Sequence, residues 1–117
     1  MSAKSTECYA IDPNADCLRV EISATRSLLL PFDQFAFSEL NTDDKEQRLR
    51  LVFATHEVLI SGHVLRRIEA AMQRLELSLI ARLPDRYQAL VGEGQPKIRD
   101  IVVTESETAA SPTPVLD

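Results

Sequence analysis

The chain has no tryptophan, only three glycines and only two cysteines in 117 residues. Two cysteines, Cys8 and Cys17, are too few for the disulfide framework of a small secreted domain, so we interpret them as reduced thiols. No apolar run approaches the roughly 20 residues of a membrane-spanning helix. The N-terminal residues also lack the apolar core of a signal peptide. These absences lead us to expect a cytoplasmic protein that has no contact with a membrane.

The sequence motifs of many catalytic sites are also missing. The chain contains no Walker A sequence, no G-x-G-x-x-G and no G-x-S-x-G, the patterns that hold phosphates or expose a catalytic serine. Gly92 and Gly94 alone indicate a loop. We therefore expect neither a cofactor nor a bound metal ion, and we favour a non-enzymatic protein over an enzyme.

What is present is typical of one globular domain. Hydrophobic residues make up 44% and charged residues 26% of the chain, both close to the averages for globular proteins. Residues 1–16 show no periodicity and predict a flexible arm. Residues 105–117 are rich in small residues, prolines and acids, and they predict a disordered tail. The domain itself is predicted to span residues 17–104.

Alternating apolar residues predict several short strands. The alternation is clearest over residues 18–22 and 48–54, where every second residue is apolar. Residues 58–60 follow after a short turn and predict a hairpin with 48–54. Further strands are predicted at residues 27–30, 77–83 and 98–104.

Residues 31–40, PFDQFAFSEL, fit two structures. As a helix, the segment would begin at Pro31 and bury one apolar face. As a strand, it would place Phe35 and Phe37 on the same side. We favour a short turn or helix over 31–34 that leads into a strand over 35–40.

Residues 63–75 are predicted to form the main helix. Ser61 can serve as its N-cap and Gly62 permits the change of chain direction before it. Apolar residues recur at spacings of three and four and form one stripe. The stripe consists of Leu65, Ile68, Met72 and Leu75.

Five to seven strands and this one main helix predict an α+β fold. The strands would form a small antiparallel sheet or an open barrel, covered by the helix at about 63–75. Pleckstrin-like and Sm-like barrels both fit this pattern.

Positive charge is concentrated in one part of an otherwise acidic chain of net charge −5. Residues 48–86 hold seven arginines against four carboxylates, and arginine offers a planar set of donors that matches a carboxylate or a phosphate. These side chains either solvate the outer faces and pair with nearby acids or form a binding surface. The candidate binding residues are Arg48, Arg50, Arg66, Arg67 and Arg74. The acidic total and the scarcity of aromatic residues among the arginines argue against nucleic acid as the ligand.

His56, Glu57 and His63 are the other candidate site residues. A zinc site needs three or four converging ligands, and a hairpin would place the two histidines far apart. His56 and Glu57 could act as a general base with its orienting acid, but neighbouring residues of a strand face opposite sides. We therefore interpret these residues as solvated, and a metal or hydrolytic site ranks last among the alternatives.

The runs LLLPFDQFAFSEL and RLRLVFATHEVLISGHVLRRI together resemble small uncharacterised bacterial proteins. In those proteins, a Leu-Pro-aromatic segment precedes a hairpin like FATHEV, which leads through glycine into a helix. The resemblance covers residues 27–83, and its motif residues are Pro31, Phe35, His56, Glu57 and Gly62. It implies a bacterial source and no known activity, so it assigns no functional residue.

Three hypotheses about function follow. The first is a binding or assembly module that forms homo-oligomers or binds a protein partner through an exposed sheet edge or the helix. The second is recognition of an anionic ligand by the arginines. The third is the metal or hydrolytic site around the histidines.

Overall fold

The computed structural model describes residues 8–43, 45–82 and 94–105. Within these residues the chain forms eight strands, one α-helix and a 3-10 turn at Phe32–Gln34. The strands are β1 (Tyr9–Ile11), β2 (Cys17–Ser23), β3 (Arg26–Pro31), β4 (Phe35–Thr42), β5 (Gln47–Phe53), β6 (His56–His63), β7 (Leu77–Ala81) and β8 (Lys97–Glu105). The helix is α1 (Arg66–Gln73). The mainly β structure with one helix agrees with the predicted α+β class.

The predicted count of five to seven strands is wrong because the chain forms an eighth strand within the N-terminal segment. Tyr9–Ile11 pairs with β7, and Cys8 just before it is buried. Three residues are too few to show a period of two, which explains why the sequence pattern does not reveal this strand. The ordered sheet therefore begins at residue 9 and not at residue 17.

The strands form two four-stranded sheets. The first sheet has the order β1-β7-β2-β3, and the second has the order β4-β5-β6-β8. The second sheet is antiparallel throughout, as predicted. The first sheet is mixed, because β7 lies parallel to β2 while its other pairs are antiparallel.

One hydrophobic core joins the inner faces of both sheets and the buried side of α1. The alternation over 48–54 is confirmed, because Leu49, Leu51 and Phe53 are fully buried. The helix contributes Ile68 and Met72 to the same core. The side chains between the buried ones in each strand point away from this core.

A β-bulge in β4 separates the two phenylalanines that a regular strand would place together. Phe35 pairs with Phe53, but Phe37 pairs with Val52, so Ala36 is an extra residue. An extra residue shifts the following side chains to the opposite face. Phe35 lies against Phe53 with ring centroids 5.3 Å apart, whereas Phe37 is 49% exposed. The preferred prediction of a short turn followed by a strand is confirmed, with this one change of face.

The helix is shorter than predicted at its N-terminal end. His63 and Ser61 both belong to β6, and the residue before the first turn is Leu65, whose side chain makes no capping hydrogen bond. The Leu65 N–H instead donates to Oε1 of Gln47 at 2.6 Å. A side chain of β5 therefore satisfies one of the unpaired N–H groups of the helix N-terminus, the role predicted for Ser61.

The helix also ends before Leu75, which is not part of the buried stripe. The N–H of Leu75 donates to Met72 O and the N–H of Glu76 to Ala71 O, both at 2.9 Å. This is the Schellman arrangement, which requires a left-handed residue after the C-cap. Leu75 occupies that position with φ 57 and is 41% exposed. Ala71 is buried in the stripe instead.

Gly62 allows a close approach of two strands. A Cβ atom at this position would lie 2.0 Å from the carbonyl oxygen of Lys97 in β8. The pairing of β6 and β8 shifts by one residue at the same place, between Ser61 and Gly62. Because Gly62 lies within β6, its role differs from the predicted change of direction before the helix.

Other predictions lie outside the described residues. These are the first seven residues of the predicted arm (residues 1–7) and most of the predicted tail (residues 106–117). Among the described residues, no helix has the length and apolar character needed to cross a bilayer.

Candidate binding surface

The outer face of the second sheet is the side of β4, β5, β6 and β8 that points away from the core. Strand pairing arranges its side chains in three rows across the sheet. The first row is Asn41, Arg48, Ser61 and Asp100. The second row is Glu39, Arg50, Leu59 and Val102. The third row is Phe37, Val52, Glu57 and Thr104.

An apolar stripe crosses this outer face diagonally, with one residue from each strand. Phe37 pairs with Val52 in the third row, and Leu59 pairs with Val102 in the second row. Phe37 and Val102 at the two ends are 49% and 48% exposed, and the two residues between them are partly exposed. The apolar stripe is thus Phe37, Val52, Leu59 and Val102, open to solvent over its whole length.

Arg50 lies beside the apolar stripe, and its charge is balanced by carboxylates of both neighbouring strands. Its Nε donates to Glu57 of β6, and its Nη1 lies 3.3 Å from a carboxylate oxygen of Glu39 of β4. The guanidinium also stacks over the Phe37 ring, with Cζ 5.6 Å from the ring centroid. The hydrogen bond that Arg50 donates to Glu57 is the main cause that raises the pKa of Arg50. Arg50 is therefore held in one position by its own sheet.

A second ion network covers the end of the outer face near the β4–β5 turn. Arg48 lies 3.5 Å from Asp43 and 3.6 Å from Glu46, and Arg99 makes a two-point contact with Glu46 at 2.9 and 3.0 Å. The hydrogen bond from Arg99 lowers the pKa of Glu46. The backbone N–H groups of Glu46 and Lys45 lower the pKa of Asp43. Each arginine here already has a carboxylate partner.

Arg99 is a residue of this network that the sequence analysis does not select. It is the extra residue of the bulge in β8, because Asp100 pairs with Ser61 and Ile98 with Gly62. Since β6 lies between β8 and β5, the Arg99 side chain must cross β6 to reach Glu46. The predicted strand at 98–104 contains this arginine, but its reach to Glu46 depends on a bulge that has no sequence signal.

The three helix arginines have a different environment. Arg66 and Arg67 in the first turn of α1, and Arg74 directly after its last residue, are all exposed. In the described part of the chain, they form no ion pair with any carboxylate. They are the candidate arginines whose charge remains available to a ligand.

The structure thus divides the five candidate arginines into two groups. Arg48 and Arg50 project from the outer face of the second sheet, two residues apart on β5. The helix arginines lie on the exposed side of α1, whose buried side belongs to the core between the sheets. The first group is neutralised within the protein and the second is not.

His56 and His63 begin and end the same strand, β6. Seven residue steps of extended chain place them about 23 Å apart. Nδ1 of His56 lies 2.8 Å from the Thr55 hydroxyl, and Glu57 is bound to Arg50 and not to His56. Among the described residues, no group of three or more histidines, cysteines and carboxylates is placed to hold a metal ion.

The apolar stripe is the feature of this surface that the sequence analysis misses. A signal does exist: Val58, Leu59 and Ile60 are three consecutive apolar residues in one strand. Because successive side chains point to opposite faces, such a run must place an apolar side chain outside. Here Val58 and Ile60 are buried and Leu59 is on the outer face.

The chain matches no family model, and no curated protein or solved structure shows significant similarity to it.

Proposed function

We propose that this chain is a non-enzymatic binding or assembly module whose binding surface is the outer face of the second sheet. The observation that carries the proposal is the apolar stripe, open to solvent across four strands. In an antiparallel sheet, the face that points away from the core is normally polar. An apolar outer face indicates a surface that another protein covers.

The composition of the surface supports the same function. Interface centres are enriched in aromatic residues and arginine, and their rims are polar. Here Phe37 and Arg50 are stacked beside the aliphatic residues of the apolar stripe, and Glu39, Glu57 and Thr104 surround them. Because Arg50 is already held by its carboxylates, little side-chain entropy remains to be lost when a partner binds.

A double variant, Phe37→Ser with Val102→Thr, tests this function. Both side chains are half exposed, so we expect the free energy of monomer unfolding to change by less than about 1 kcal/mol. Static light scattering should detect species larger than 13.1 kDa for the natural chain at about 10–500 μM, the range in which a small interface associates. The double variant should scatter as a monomer over the same range.

Leu29→Ser is the matched control. Leu29 is 56% exposed on the outer side of the first sheet, so this variant removes a comparable exposed side chain elsewhere. It should associate like the natural chain. A natural chain that remains at 13.1 kDa throughout, or a folded double variant that associates like the natural chain, would contradict the proposed assembly function.

A second candidate function is recognition of an anionic ligand by the helix arginines. The observation in its favour is that Arg66, Arg67 and Arg74 are exposed and have no carboxylate partner among the described residues. Exposed arginines bind phosphate or sulfate groups in a salt-dependent way.

Chromatography on heparin measures this second function. The natural chain should be retained at low salt, and the double variant Arg66→Glu, Arg67→Glu should elute without retention. Arg48→Glu is the control and should elute close to the natural chain, since Arg48 is already paired with Asp43 and Glu46. No retention of the natural chain at low salt would exclude this function.

A further inference from the structure

We infer that the partner of the outer face is a second copy of this chain, related by a two-fold axis that runs along the apolar stripe. The inference rests on the proposed function and names the partner of the same surface. It follows from the positions that strand pairing gives to the charged residues on the two sides of the stripe.

A two-fold axis in the plane between two facing sheets brings each residue on the axis against its own counterpart. With the axis along the line from Phe37 to Val102, Phe37 meets Phe37 and Val102 meets Val102, so apolar surface covers apolar surface. A residue to one side of the axis faces the partner copy's counterpart of the residue that lies at the same position along the axis on the other side. Charges on the two flanks must therefore be of opposite sign for the two copies to attract.

Arg50 and Glu57 meet this condition. With strands about 4.8 Å apart and successive rows about 6.8 Å apart, the line from Phe37 to Val102 is about 16 Å long. Arg50 lies about 4 Å to one side of that line and Glu57 about 4 Å to the other, and their positions along the line differ by about 1–2 Å. In the two-fold arrangement, Arg50 of each copy therefore faces Glu57 of the other copy.

The other charged residues do not oppose this arrangement. With the same strand and row spacings, Glu39 of one copy faces the β5–β6 turn of the other copy near Ala54. Arg48 and Asp100 fall opposite the edge of the sheet or beyond it. No two like charges of the described outer face meet each other. The four groups at the centre form an alternating ring, because each Arg50 keeps its own Glu57 and gains the second one.

The available area places this association in a size class. Four strands about 4.8 Å apart and about 25 Å long give each copy a face of about 500 Å². Two such faces bury about 1,000 Å², the lower end of the range for specific, transient complexes. We therefore expect a dimer that forms at micromolar concentrations.

Two charge-reversal variants test the axis directly. In Arg50→Glu, two carboxylates would face each other across the axis, and in Glu57→Arg, two arginines would. Each variant alone should associate at least tenfold more weakly than the natural chain, measured by static light scattering. An equimolar mixture should form a one-to-one heterodimer, detected by native mass spectrometry, because each reversed charge then meets its opposite.

Arg48→Glu reverses a charge on the same strand and face but away from the axis partner, so it should dimerise like the natural chain. Thermal melts followed by circular dichroism establish that each variant is folded. If the natural chain dimerises and the mixture yields no heterodimer, the axis is wrong while the assembly function stands. If the natural chain is a monomer, the proposed assembly function fails as well.

Discussion

The outer face of the second sheet and the exposed side of α1 both carry arginines, yet they use this charge in opposite ways. On the sheet, Arg50 is held between Glu39 and Glu57, and Arg48 has Asp43 and Glu46 as partners. On the helix, the arginines have no carboxylate partner among the described residues. The sheet surface is thus apolar with cancelled charges, and the helix surface is cationic. The number of arginines in a segment therefore does not determine whether it attracts an anion.

The largest expected effect comes from Gly62→Ala, which would disturb the sheet surface and leave the helix surface in place. The added Cβ would lie 2.0 Å from a backbone oxygen of β8, so β6 and β8 must separate. We expect the free energy of unfolding to fall by about 2–3 kcal/mol, a typical cost of overpacking. Urea denaturation measures this change. The neighbouring substitution Ser61→Ala adds no atom and should cost less, and equal costs would contradict the account.

A smaller effect on stability is expected at the C-terminal end of the helix, where glycine should be more stable than alanine. Leu75 has φ 57, a conformation that costs L-residues about 1–2 kcal/mol and glycine almost nothing. Leu75→Gly should therefore be more stable than Leu75→Ala by about 1 kcal/mol. Inside a helix the order is reversed, since glycine costs about 1 kcal/mol more than alanine. Thermal denaturation of both variants decides between the two orders.

The two groups of arginines should also respond oppositely when one member is neutralised. Arg66 is the first residue of α1, where a positive charge opposes the helix dipole, so Arg66→Gln should raise stability by about 0.3–1 kcal/mol. Arg50→Gln should lower stability, because Glu39 and Glu57 lose their shared partner. Chemical denaturation at low salt measures both changes. The same sign for both variants would show that the two surfaces do not differ as described.

The smallest effect is a dependence of stability on pH. Arg99 lowers the pKa of Glu46, and backbone N–H groups lower the pKa of Asp43. A lowered pKa in the folded state contributes stability above the unfolded pKa, near 4, and this contribution is lost as the pH falls through the folded pKa. Glu46→Gln should reduce the loss of stability on acidification from pH 6 to 3. An unchanged pH profile in this variant would exclude the Glu46 contribution.

The elements with regular periodicity could be predicted from the sequence. Alternation over 48–54 gives the burial of Leu49, Leu51 and Phe53, and with it the outward direction of Arg48 and Arg50. The helix stripe is right for Leu65, Ile68 and Met72, which are fully buried. In each case the side-chain direction follows from the local backbone alone.

The features that were not predicted from the sequence depend on distant parts of the chain. The cancellation of the charge of Arg50 depends on the register of three strands, which no local pattern contains. The opposite directions of Phe35 and Phe37 depend on a bulge, and the exposure of Leu75 depends on a left-handed backbone at a position where glycine would be the usual signal. The apolar stripe also could not be predicted locally, because its four residues become neighbours only when the four strands are paired in this register.

Disulfide cross-linking at the stripe tests the central claim most directly, that the outer face of the second sheet meets a second copy of itself. Leu59→Cys in a Cys17→Ser background places a thiol within about 2 Å of the proposed two-fold axis, and Leu29→Cys in the same background places one on the first sheet. Under mild oxidation at about 100 μM, a concentration suited to a small interface, Leu59→Cys should yield covalent dimer at least tenfold faster than Leu29→Cys. Equal rates, or faster dimer formation through Leu29→Cys, would contradict the claim.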